Sequence, residues 1–332
     1  MDTHTTKTRT AVLLAAAMIT LGAATTAFAA TPGSQLITMP TVTVGDIGNP
    51  ANPAPYDDLP SFGSVSYEYQ IGKYEVTNSQ YAAFLNAVDS TGANTYNLYI
   101  SDMSSSIYGG ITWNSSSGRY EVKAGFDLKP VVYVSFYDAA RFVNWLTTGD
   151  TENGLYVFSA NGLTITSNPD HATSTGWAIA SEDEWYKAAY YDPNKGGAGG
   201  YWAYPTQSDS ISDSQANFYN GWDEPVLMEV GSFVPSAYGT FDQGGNVLEW
   251  NDTLIYEGVE RGYGTDRVMR GGAFDGYEDE LATSSIGSSG YPDGYYHDFG
   301  FRVVLLGQVP EPGTYAALAG LAMLVYAALR RR

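Results

Sequence analysis

Three stretches of the chain place apolar residues at helical spacing behind a capping residue. Thr77 is followed three positions later by Gln80, a capping-box pattern, and Tyr81, Phe84, Leu85 and Val88 then fall at i, i+3, i+4 and i+7. Ser135 precedes Ala139, Phe142, Val143 and Leu146 at the same spacing. Ser181 with Glu184 opens a third helix that turns Trp185, Ala188 and Ala189 inward. Shorter apolar runs, Lys129 to Val134 and Arg267 to Arg270, read as strands between loops rich in Gly, Ser, Asn and Asp. With no repeat and no second composition regime, residues 63–306 are expected to form one α+β domain rich in irregular loops. The proline-dense stretch 31–62 reads as an extended lead-in to it.

The two ends follow another pattern. Lys7 and Arg9, the apolar run from Ala11 to Ala24 and Ala27-Phe28-Ala29 make residues 1–30 a secretory signal with a small-x-small cleavage site. At the other end, residues 307–332 contain Pro310-Glu311-Pro312, an uncharged Ala/Leu-rich stretch from Gly313 to Leu329 and Arg330-Arg331-Arg332. That stretch is near the lower limit for a membrane-spanning helix, and the arginines should stay cytoplasmic. The arrangement resembles the PEP-CTERM sorting signal of exopolysaccharide-producing Gram-negative bacteria. The resemblance implies an exosortase-type sorting protease as partner. It also implies export across the inner membrane, transient anchoring through the C-terminal segment alone, and then a place at the cell surface or in the extracellular matrix. A permanent single-span anchor is the alternative.

Composition narrows the chemistry. The 332 residues include no cysteine and three histidines, and 36 Asp and Glu stand against 16 Lys and Arg, for a formal charge of -20. Without Lys7, Arg9, the terminal arginines, Asp2 and Glu311, 11 cations and 34 anions remain, about -23. Zero cysteines exclude disulfides, thiol nucleophiles and thiolate metal sites. Such an acidic surface repels nucleic-acid backbones and anionic lipid heads.

Six motifs occur in order: Ile71-Gly72-Lys73-Tyr74-Glu75-Val76-Thr77-Asn78; Pro130-Val131 with Val134-Ser135-Phe136-Tyr137-Asp138-Ala139; Ala180-Ser181-Glu182-Asp183-Glu184-Trp185; Gly244-Gly245-Asn246-Val247-Leu248-Glu249-Trp250; Arg270-Gly271-Gly272-Ala273-Phe274; and Gly300-Phe301-Arg302-Val303. Together they resemble the sulfatase-modifying-factor family, whose namesake is the formylglycine-generating enzyme. The resemblance implies a C-type-lectin-like α+β fold and structural calcium. One calcium site would use Asp242, the carbonyls of Gly245 and Val247, and the Glu249 carboxylate, because calcium favours several hard oxygens at adaptable geometry. A second would use Asn217 and Phe218 with Asp223, although the spacing to Asp223 is shorter than the family's. The alternative is a tight Gly244-Gly245 turn with Glu249 pairing locally.

In the namesake enzyme, two cysteines after Arg-Gly-Gly hold copper. Here Asp275 and Glu280 fall near those places, and the downstream Arg-rich segment is replaced by Ala282-Thr283-Ser284-Ser285. Hard carboxylates do not replace thiolates on Cu(I), so no copper and no formylglycine generation are expected. Iron held by His171 and His297 is the weaker option: His171 reads as a turn residue and His297 as a loop histidine.

The expected function is therefore a calcium-stabilised binding or structural module of the cell surface or exopolysaccharide matrix. Tyr291, Tyr295 and Tyr296 would form its ligand surface, with a glycan or matrix polymer as partner. The alternative is an enzyme with altered, non-thiol chemistry in the same cleft, metal-dependent or carboxylate-based, using Asp275, Glu278 or His297.

Overall fold

The computed structural model describes residues 32–53, 60–221, 225–255, 265–285 and 287–307. The secretory signal, the C-terminal anchor and Asp223 lie outside the described residues. Strands β1 (Thr41–Val44) and β2 (Tyr69–Gly72) precede helix α1 (Asn78–Val88) and the single turn α2 (Asp102–Ser105). A hairpin of β3 (Ile111–Asn114) and β4 (Arg119–Val122) leads to helix α3 (Phe136–Thr148), then to the small pair β5 (Val157–Phe158) and β6 (Ile165–Ser167). Strand β7 (Gly176–Ile179), helix α4 (Glu182–Tyr190) and the pair β8 (Tyr191–Asp192) and β9 (Gly200–Tyr201) follow. The last described elements are β10 (Leu248–Leu254), β11 (Arg267–Arg270), β12 (Ser288–Gly290), β13 (Phe299–Phe301) and β14 (Val303–Leu306).

The three helices form where capping and spacing place them. Thr77 accepts from the Gln80 amide while Gln80 Oε1 accepts from Thr77 N at 2.9 Å. Ser135 is boxed by Asp138 and Ser181 by Glu184 in the same reciprocal way, which satisfies amides that a helix start leaves open. Gly149, left-handed at φ 80°, ends α3 and donates to the Trp145 carbonyl. The apolar faces then meet: Phe142 lies 5.4 Å from Phe84 across the α1–α3 contact and 5.4 Å from Phe301 of β13, ring centre to ring centre. Burial of each such phenylalanine stabilises by roughly 1.5–3 kcal/mol relative to exposure.

Two four-stranded sheets carry the rest. The first runs β1-β2-β14-β7, antiparallel throughout; the second runs β12-β11-β10-β13, with β10 and β13 parallel. This arrangement is the C-type-lectin-like α+β fold that the motif order implies.

Two expectations need correction. Residues 31–62 are more than a lead-in: β1 closes the edge of β2, and Val44 and Phe62 are buried in the main core. Prolines flank residues 41–44 without interrupting them, so the ladder can form. Lys129 to Val134 is not a strand, and only Pro130 bridges Thr77. Pro130 has no N–H to donate, and Tyr133 is left-handed at φ 63°, which breaks the extended run. Val131, Val132 and Val134 are nonetheless buried, which is why the run is apolar. Arg267 to Arg270 is a strand as expected.

Candidate functional site

The Gly-Gly-Asn loop enters the second sheet through a turn that requires glycine at one place. Gly245 has φ 82°, and a Cβ there would sit 2.0 Å from the Asn217 carbonyl oxygen. The next residue, Asn246, ties four segments together. Its side chain donates to Glu75 Oε1 at 2.9 Å and accepts from Asn217 Nδ2 and Met228 N, and its carbonyl accepts from Phe274 N.

Glu249, at the start of β10, then points into a fully buried charge cluster. Its carboxylate accepts from Arg302 Nη2 at 2.7 Å, Arg302 Nε at 3.0 Å and Trp185 Nε1 at 2.7 Å. Arg302 also donates to the Gly72 and Phe241 carbonyls, and its Nη2 lies 3.8 Å from Glu75 Oε2. Burial, then the charge of Asp242, holds Glu75 well above the ordinary carboxylate range, and burial lifts Asp242 to about 6.

As arranged, the calcium ligand set does not fit the ion at Glu249. Both of its oxygens are taken by N–H donors, and a guanidinium already supplies the positive charge. Asp242 is the member that fits, since its buried Oδ1 has no hydrogen-bond partner, and neither has Glu75 Oε2. The second set is placed only in part. The Asn217 carbonyl accepts from Asn246 N at 2.8 Å, and its side-chain amide donates to the Val226 carbonyl. Phe218 lines a surface groove with Tyr219 and Asn220.

A second group forms where the namesake's cysteines would lie. His297 and Asp275 are joined Nε2 to Oδ2 at 2.7 Å, both partly exposed. The Tyr108 and Phe274 rings stand 5.4 and 6.0 Å from the imidazole, ring centre to ring centre. Burial pushes up the neighbouring Asp298 carboxyl, against the charge of His297. The structure thus joins two of the three residues considered for an enzyme. Glu278 makes no such bond among the described residues and is exposed, at the start of the 3-10 turn Glu278–Leu281. Such a pair can move a proton or hydrogen-bond a hydroxyl.

The tyrosine loop adjoins this pair. Tyr291, Tyr295 and Tyr296 are 53, 39 and 59% exposed, although Tyr296 also packs edge-on against Phe299 at 4.9 Å. Two backbone bonds pin the loop, Tyr133 N to Tyr296 O at 2.9 Å and Tyr137 N to Pro292 O at 3.1 Å. The left-handed Tyr133 that broke the expected strand therefore helps to hold the loop.

His171 belongs elsewhere. Although it sits in a turn, its Nδ1 is 2.8 Å from Glu184 and its Nε2 3.2 Å from Asp252, both buried. Against the cost of burial, Glu184 foremost and then Asp252 raise it to about 10, so it is a cation at neutral pH. Both of its ring nitrogens face carboxylates, His297 pairs with Asp275 instead, and among the described residues no group of three or more His, Asp or Glu side chains is placed to hold a metal, so the structure does not bring His171 and His297 together as an iron site.

Sequence reasoning missed Arg302, Glu75 and Trp185 as a charge cluster, although each lies inside a motif quoted for the resemblance. It also missed Tyr108, which no local signal marks.

Comparison with known proteins agrees with the fold. The family described as the sulfatase-modifying factor enzyme 1-like domain matches residues 28–306, and the PEP-CTERM protein-sorting motif matches residues 308–332. The sorting motif implies export and membrane-associated sorting, with processing by exosortase-type machinery. Among the described residues, no helix is long and apolar enough to cross a membrane. Curated relatives include the serine/threonine-protein kinase Pkn1 of Chlamydia trachomatis serovar L2, 28% identical over 237 residues, and pkn1 of Chlamydia pneumoniae, 27% identical over 239 residues. Each match covers 68% of this chain, which spans 31% of the relative's length. Similar solved structures include CarF, with a TM-score of 0.55 and 22% identity, covering 81% of this chain and 99% of that one. Treponema denticola variable protein 1 has a TM-score of 0.53 and 21% identity, covering 80% and 95%.

Proposed function

The chain belongs to the sulfatase-modifying factor enzyme 1-like family, and from that premise we propose that it is a non-oxidising member that binds a glycan of the cell surface or exopolysaccharide matrix. The observation that carries this reading is the loop bearing Tyr291, Tyr295 and Tyr296, exposed and pinned by the backbone of Tyr133 and Tyr137. Tyrosine rings offer flat amphipathic faces with few torsions to immobilise, and a pinned loop loses little entropy on binding. The absence of cysteine supports the same reading, since the namesake reaction depends on two of them.

Probing a glycan array with the purified chain tests it. Tyr291→Ala and Tyr295→Ala are each expected to weaken binding about tenfold or more, as truncation of an aromatic anchor does, while Asp275→Ala leaves binding in place. An array with no bound glycan would sink the proposal.

The 2.7 Å contact between His297 and Asp275 favours one rival, an enzyme using the pair for proton transfer. Turnover of a glycan or thiol peptide that vanishes in Asp275→Ala would establish that rival instead.

A further inference from the structure

Residues 211–220 run past the turn Glu278–Leu281 and leave an open groove of about 470 Å³. Phe218, Tyr219 and Tyr277 give it aromatic walls, and Asp213, Asn220 and Glu278 give it polar ones. The two tyrosine rings meet edge to face at 5.6 Å, with Tyr277 59% exposed. Backbone bonds set the walls before any ligand arrives: Tyr219 N donates to the Gly276 carbonyl at 2.8 Å, and Glu280 N to the Tyr277 carbonyl at 3.1 Å. A smaller space adjoins the groove and reaches the buried Phe274. Phe274 lines the adjoining space with Ala216 and Asn217, and its ring lies 6.0 Å from that of His297.

We propose that this groove is a second sugar subsite, taking the flat face of one pyranose ring of an uncharged polysaccharide whose neighbouring units pass Phe274 toward the tyrosine loop. The proposal rests on the glycan-binding reading above and extends it. Tyr277 supplies the stacking face. Glu278 and Asp213 accept hydrogen bonds from ring hydroxyls, and bonds to a carboxylate are stronger than neutral ones. The same carboxylates, on a chain of net charge -20, disfavour uronic acids and sulfated or phosphorylated sugars.

The test titrates the full chain with neutral and uronic-acid oligosaccharides of increasing length. The neutral hexasaccharide is expected to bind about tenfold or more tightly than the disaccharide of the same sugar, because the second subsite acts at high effective concentration. Tyr277→Ala should remove that gain without lowering the melting temperature, whereas Tyr277→Phe keeps it and Glu278→Gln reduces it. If Tyr295→Ala abolishes binding and Tyr277→Ala changes nothing, the second subsite is overturned and the loop reading stands. If only Tyr277→Ala matters, the loop reading falls and the groove remains. Equal binding of uronic-acid oligosaccharides overturns the groove's selectivity, and no binding at all overturns both.

Discussion

Arg302→Met is expected to destabilise the fold by roughly 3–5 kcal/mol, the usual cost of removing one partner of a buried ion pair. Arg302 and Glu249 are both fully buried, and three of the guanidinium's hydrogen bonds go to Glu249 Oε1 and to the Gly72 and Phe241 carbonyls. Methionine fills a similar volume but leaves the Glu249 carboxylate without its counter-charge and two carbonyls without donors. Glu75 is pushed upward already, so it can take a proton, and Glu249 becomes the stranded charge. Urea denaturation measures the loss. Adding Glu249→Gln to Arg302→Met should recover part of it, since the penalty lies in the unpaired charge, and a near-neutral single variant would refute the account. The same geometry makes a statement about metal at this one position: because Arg302 already supplies the cation at Glu249, Glu249→Gln is expected to leave the response of the melting temperature to a chelator unchanged. A chelator response that Glu249→Gln abolishes would mean that calcium displaces the guanidinium.

The second large effect is an alkaline loss of stability through His171. Its pKa is raised from 6.5 in an unperturbed histidine to about 10 in the fold. The native state therefore binds a proton that the unfolded state releases, and the stabilisation is complete below about 6.5 and lost as pH rises toward 10. Glu184 and Asp252 face the ring; Arg267 Nη1 at 2.6 Å also neutralises Asp252, and the Tyr156 and Tyr67 hydroxyls donate to the two carboxylates. Because Arg267 remains, His171→Gln should cost about 3 kcal/mol near neutral pH, the lower end for a broken buried pair. Denaturation of both proteins across the alkaline range checks this. Lys187, which burial lowers to about 8, titrates in the same window in both, so the informative quantity is their difference. That difference should shrink as pH rises, and parallel profiles would refute the role given to His171.

Local signals were sufficient where one element satisfies itself. Thr77 with Gln80 and Ser181 with Glu184 close reciprocal bonds within four residues, so those helix starts were visible before any tertiary contact was known. Lys129 to Val134 misled because apolar residues mark burial, and burial does not require a ladder. Glu249 misled for another reason. A carboxylate in a Gly-rich turn looks like a calcium ligand until the residue opposite is known, and Arg302 lies 53 positions away.

By itself the sequence determined the three capped helices, the family and its sorting motif, and the absence of thiol chemistry, because capping, motif order and residue type are local or compositional properties. Only the tertiary structure decided which ionisable groups meet: Glu249 with Arg302, His171 with Glu184 and Asp252, His297 with Asp275. Those pairings join residues up to 81 positions apart. Electrostatic character depends on separation in space and on burial, and neither is written in the spacing of residues along a chain.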